Sequence, residues 1–244
     1  MTDRRFVRLA IAGLLLMING WVLAASGGPV QQAGNDLGDR ASLQRGAQLY
    51  MNYCAGCHSL KYLRYSRLAE DLGLSEAQVM ANLNFTGAAV GEQIHVAMPA
   101  ESEKWFGKVP PDLSLISRVR GDDWVYTYLK SFYRDADAAL GWNNALFPNV
   151  SMPNALWELQ GIQEPVIEGE GVDAVVHGVR LAQPGALDGP AFDQVARDIT
   201  NFLAYSAEPA ALKRHGLGVW VVLFLAFFTF LAWLLKQEFW KDVH

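Results

Sequence analysis

Residues 52–59 read NYCAGCHS and hold the only two cysteines of the chain, Cys54 and Cys57, with His58 directly behind them. Three chemistries use a thiol pair at this spacing: a redox dithiol, half of a zinc site, and covalent attachment of haem. Structural zinc takes four ligands, usually from a second Cys or His pair. The other histidines, His95, His177, His215 and His244, are scattered singly. A thioredoxin-like dithiol sits at a helix N-terminus after a strand. Here the pair instead follows an amphipathic stretch from Ala41 to Tyr53, where Leu43, Ala47 and Tyr50 recur at helical spacing and Ser42 is the expected N-cap. The immediate His58 decides between the three. C-x-x-C-H is the attachment signature of haem c, in which both thiols bond the haem vinyl groups and the imidazole becomes the proximal iron ligand.

Outward from this stretch, both chain ends are apolar. Arg4, Arg5 and Arg8 precede a run from Leu9 to about Ala25 that exits through small residues, which predicts a signal peptide over residues 1–25, cleaved after Ala24 or Ala25. An N-terminal anchor is the competing reading, and either one exports the downstream body. Residues 26–40 are small and polar, the composition of a linker. At the other end, Leu217 to Leu235 carries no charge. A bilayer span needs ~20 apolar residues. Trp220, Trp233 and Trp240 stand where interfacial aromatics belong. We therefore expect a transmembrane anchor over 214–236 and a cytoplasmic tail over 237–244, with the exported body in the periplasm and the chain single-pass in the cell inner membrane.

The whole chain is 51% hydrophobic and 18% charged, with a formal net charge of −5. That excludes a disordered chain, and the acidic balance speaks against nucleic-acid binding, which needs basic surface to displace counterions. Further helices are predicted from Ser75 (SEAQVMANLNF), over 122–133 (DDWVYTYLKSFY) and over 190–207 behind Pro190, with a small hairpin in VIEGEGVDAVVHGVRLA. The expected fold class is mainly α: a cytochrome c-like haem domain of short helices and long loops over 41–210, plus one C-terminal transmembrane helix. Such a loop-heavy body is short of apolar area, which a large buried prosthetic group would supply. The segment 164–173 holds Glu164, Glu168, Glu170 and Asp173 without a Lys or Arg, a candidate surface for steering a basic partner.

Haem iron needs a sixth ligand or an open position. Met51 lies too close to the cysteines and Met80 falls on a helical pattern, so both read as packing residues. Met98 and Met152 each precede a proline, in VAMPA and SMPNA, and spacing leaves the choice between them open.

Four segments together resemble the cytochrome c1 family, the haem subunit of ubiquinol–cytochrome c reductase, in its bacterial form. They are ASLQRGAQLYMNYCAGCHSLKYLRY, WFGKVPPDLSLISRVRG, FPNVSMPNALWELQG and AEPAALKRHGLGVW at the entry to the anchor. The resemblance runs from about residue 36 to the C-terminus. It implies one covalent haem c on Cys54 and Cys57, with His58 and Met152 as axial ligands and a carbonyl of Pro110 or Pro111 accepting from His58 Nδ1. It also implies Arg120 and Tyr126 near a haem propionate. Some members have a second cysteine pair, which is absent here. The implied function is one-electron transfer from a Rieske iron–sulfur protein to a soluble or anchored cytochrome c, with the quinol site in a cytochrome b partner. A stand-alone membrane-anchored c-type carrier is the alternative, and a gas-binding or peroxidase haem would require an open iron.

Overall fold

The structure is a computed structural model that describes residues 30–95, 98–99, 101–169 and 175–242. The expected signal peptide lies outside these residues, as do Glu170 and Asp173. Helix α1, Arg40–Tyr53, starts one residue earlier than the periodicity implies because Asp39, not Ser42, caps it; the Asp39 side chain accepts from Ser42 N. Strand β1 (Leu60–Arg64), α2 (Tyr65–Leu72), α3 (Glu76–Asn82), β2 (Gln93–Ile94), α4 (Ser102–Phe106), α5 (Ile116–Arg120) and α6 (Asp122–Lys130) follow. Ser75 caps α3 through a reciprocal box with Gln78. Next come β3 (Phe132–Arg134), β4 (Trp142–Asn144), α7 (Trp157–Gln160), β5 (Gly161–Glu168), β6 (Val175–Pro184), α8 (Gly189–Ala207) and α9 (Ala211–Phe239). The strands pair antiparallel as β1–β2, β3–β4 and β5–β6. The 122–133 pattern is thus a helix that stops at Lys130 and a strand that starts at Phe132.

Helix α8 is the spine, and α1, α5 and α6 all pack on it. Leu43, Ala47 and Tyr50 of α1 meet Ile199, Phe202 and Tyr205 of α8 in a core completed by Leu60, Leu63 and Leu68. The α1–α8 crossing is close at Gly46. A Cβ placed there would lie 2.0 Å from the Asp198 carbonyl oxygen and 2.7 Å from Phe202 Cβ. Beside it, the buried Asp198 carboxylate accepts from Arg45 Nε (2.6 Å), Arg45 Nη2 (2.9 Å), Ser42 Oγ (2.6 Å) and Gln194 Nε2 (2.9 Å). Backbone cannot step aside for a methyl group, so Gly46→Ala is expected to cost about 3 kcal/mol. That exceeds the ~1 kcal/mol alanine gains in helix propensity, and thermal unfolding of the purified protein checks it.

Two features revise the expected boundaries. Residues 31–36 are not a free linker but a strap across α6 and α8. Gln31 N donates to Thr127 Oγ1 (2.8 Å), Ala33 N to Asp123 Oδ1 (2.8 Å), Arg197 Nε to Ala33 O (2.8 Å) and Asn201 Nδ2 to Asp36 O (2.8 Å). Helix α9 begins before the anchor proper: Ala211 is buried and Leu212 packs on the core, while Lys213 pairs with Glu70 at 3.1 Å. From Leu217 to Leu235 the helix carries no charge and, Gly218 apart, is exposed, with Trp220 and Phe224 at 72% and 64%. It is long and apolar enough to cross a membrane. Truncation after Gly216 is therefore expected to release a folded, water-soluble domain. Aggregation of that product would place the segment in the domain's own core.

Candidate haem site

The C-x-x-C-H stretch closes α1 as a compact turn. Cys54 N and Ala55 N donate to Tyr50 O (2.8 and 2.9 Å), and His58 N donates to Cys54 O (2.8 Å). Tyr50, fully buried, donates from its hydroxyl to His58 O at 2.7 Å. One core tyrosine thus braces both ends of the motif, a role its sequence position hides behind an ordinary core periodicity. The two cysteines form no disulfide with each other, and Cys54 is buried while Cys57 is exposed. Burial pushes the Cys54 thiol up to about 12 and raises Cys57 as well. Both lie at a helix C-terminus, the end whose dipole disfavours a thiolate. A low-pKa redox dithiol needs the opposite setting. Zinc fares no better: among the described residues no group of three or more His, Cys, Asp or Glu side chains converges.

The histidine is held from the other side by the PPDLS segment. His58 Nδ1 lies 2.7 Å from Pro111 O. A carbonyl only accepts, so Nδ1 carries the proton. Burial lowers the imidazole pKa, opposed by that same hydrogen bond. In this tautomer the neutral ring presents its lone pair on Nε2, the state an axial ligand must be in. Leu113 N donates to Ser59 O (2.9 Å), Lys61 N to Asp112 Oδ2 (2.9 Å) and Tyr62 N to Ser114 Oγ (3.2 Å), so residues 111–114 zip along 58–62.

The same segment runs on through α5 to a second cluster. Arg120, at the end of α5, lays its guanidinium 4.9 Å from the Trp124 ring centre and 5.5 Å from that of Phe147. Trp124 and Tyr128 stand one turn apart on α6, stacked at 5.0 Å. Tyr128 Oη donates to Met152 Sδ at 3.5 Å, and burial raises its phenol so that it stays protonated. Buried amides shape the Met152 loop. Asn144 Nδ2 donates to Tyr128 O (2.9 Å) and its Oδ1 accepts from Leu146 N and Phe147 N. Asn154 Nδ2 donates to Gln160 Oε1 (3.0 Å), and Gln160 Nε2 to Lys130 O (2.9 Å). Met51 is buried in the core and Met80 packs against it. Met98 is half-buried between β2 and α4.

Tyr126 is not brought to this cluster. Two residues from either Trp124 or Tyr128, it points about 200° away around the helix, toward α8. There its hydroxyl accepts from Lys130 Nζ (3.2 Å), and Arg197 lies 5.9 Å from its ring centre. Trp124 is the aromatic beside Arg120. The i, i+4 pair 124/128 carried that signal in the sequence.

The residues fit a haem. An imidazole whose Nδ1 is held by a carbonyl, two cysteines on the same turn and a thioether on a shaped loop are the groups that would hold one. Val109, Leu115, Val119 and Phe147, on the segments that carry those groups, stay exposed, Val119 to 73%. They are the apolar surface a large prosthetic group would cover.

The model of the Cytochrome C1 family matches residues 35–93 and 186–243. Cytochrome c1 of Allochromatium vinosum is 51% identical over 242 residues, covering 97% of this chain and 99% of that one. The chain belongs to the cytochrome c1 family. As a cytochrome c1 it is a haem protein, and Cys54 and Cys57 in C-x-x-C-H are consistent with attachment of haem c. It is also similar to the ammonia monooxygenase gamma subunit of Nitrosomonas europaea, 41% identical over 95% of this chain and 97% of that one. Cytochrome b/c1 of Bradyrhizobium diazoefficiens is 28% identical, covering 84% of this chain and 34% of that longer one.

Proposed function

We propose that the chain is the one-electron carrier of a quinol–cytochrome c reductase, its haem held covalently by Cys54 and Cys57 and axially by His58 and Met152. The observation that carries this is the fixed His58 tautomer: Pro111 O accepts the hydrogen bond from Nδ1–H and leaves Nε2 for iron. Bound there, a haem would supply reversible one-electron chemistry, and a thioether ligand would raise its potential. The protein's part is to hold the ligands rigidly. Tyr50 fixes the attachment turn and residues 111–114 fix the imidazole, while Asn144, Asn154 and Gln160 fix the methionine loop. Arg120 supplies a fixed guanidinium for a propionate.

The partners are a cytochrome b that houses the quinol site, a Rieske protein that delivers the electron, and a cytochrome c that removes it. The Bradyrhizobium relative, which carries cytochrome b and c1 in one name, supports the first. Helix α9 anchors the domain with its body in the periplasm. Residues 164–173 are the candidate surface for steering the acceptor, with Glu164 partly offset by Arg180 Nη2 at 3.0 Å across the hairpin. The Nitrosomonas relative favours a second reading, an electron carrier beside a monooxygenase, and copurification separates the two. A redox titration of the detergent-purified chain tests the carrier assignment. One reversible one-electron wave, with no carbon monoxide uptake by the ferrous form, is expected. Stoichiometric carbon monoxide binding by the unaltered protein would indicate an open iron.

A further inference from the structure

We propose that Tyr128 is a positioning residue for the Met152 thioether, holding the sulfur and raising the haem potential through its hydroxyl. This rests on Met152 being the axial ligand. The geometry is specific. Tyr128 Oη lies 3.5 Å from Met152 Sδ, and among the described residues that sulfur is the hydroxyl's hydrogen-bond partner. Packing alone would be served as well by phenylalanine, and a half-buried hydroxyl without a partner is a cost.

The ring cannot drift. Trp124 stacks on it at 5.0 Å and 12°, and Phe132 meets it edge-on at 5.0 Å and 72°. Asn144 Nδ2 holds its backbone carbonyl at 2.9 Å. Asn144 also ties down the N–H groups of Leu146 and Phe147, at the start of the loop that bears Met152. One buried amide thus ties the donor's backbone to the segment that leads into the Met152 loop.

A thioether sulfur has two lone pairs. With one lone pair given to a bound iron, the other would be free to accept from Tyr128, and the hydrogen bond would draw electron density off the sulfur. Weaker donation to iron would favour the less charged ferrous state, so the hydroxyl would raise the potential. It also opposes rotation of the thioether out of its coordinating position.

The test compares Tyr128→Phe, Tyr126→Phe and Met152→Leu in the full, haem-loaded chain in detergent. Readouts are the redox midpoint and the sulfur-to-iron charge-transfer band of the ferric form. Tyr128→Phe keeps the ring and its stacking. At a fixed solution potential it is expected to raise the ferric-to-ferrous ratio by roughly two- to tenfold, the net worth of one neutral hydrogen bond, and to shift the band while keeping it. Tyr126→Phe removes a phenol hydroxyl from the opposite face of α6 and is expected to move neither. If Tyr128→Phe accumulates poorly, Tyr128→Leu must show the same fall in potential in whatever holoprotein forms. An unchanged midpoint and band in Tyr128→Phe, with both altered in Met152→Leu, overturns the role of Tyr128 alone. An unaltered midpoint and band in Met152→Leu overturns the ligand assignment beneath it.

Discussion

Cys54→Ala combined with Cys57→Ala is expected to remove covalent haem entirely, so that haem staining on a denaturing gel falls to background while the polypeptide is still made. The turn offers no substitute nucleophile. Tyr50 hydrogen-bonds both ends of the motif, and the chain has no other cysteine. Either single replacement leaves one thioether bond and weakens the stain. Undiminished covalent haem in the double variant would end the c-type assignment.

The second large effect is at Met152. Met152→Leu keeps most of the side-chain volume but removes the thioether, so under the proposed ligation the iron would lose its sixth ligand and the contribution that raises its potential. The ferrous form is expected to go from no carbon monoxide uptake to about one per haem, and the midpoint to fall. Met98→Leu is expected to do neither, since Met152 is the methionine whose sulfur meets the Arg120–Trp124–Tyr128 cluster. The reverse pattern would assign the ligand to Met98.

The helices that build the scaffold were legible because their signals are local. Ser75 with Gln78 makes a capping box, Pro190 stands in the first turn of α8, and the α1 periodicity buries Leu43, Ala47 and Tyr50. C-x-x-C-H named its chemistry for the same reason: its groups are adjacent in sequence. The hidden features depend on contacts between distant residues. The strap at 31–36 reads as a polar linker because its partners, Asp123, Thr127, Arg197 and Asn201, lie about 90 or more residues away. Glu164 reads as unpaired acid because Arg180 reaches it only across the hairpin. The family likeness names Tyr126, whose ring and hydroxyl meet Arg197 and Lys130. Helical phase favours Trp124 and Tyr128, which share a face with each other and not with Tyr126.

The most direct measurement is to purify the full chain from its native membrane in mild detergent, identify the proteins that accompany it, and add a reduced quinol while recording haem spectra. The expected result is a complex containing b-type haem and a Rieske iron–sulfur protein, in which quinol reduces the c-type haem of this chain and loss of the Rieske protein stops that reduction. A chain that comes away alone, or with a monooxygenase and no b-type haem, and whose haem quinol does not reduce, would contradict it.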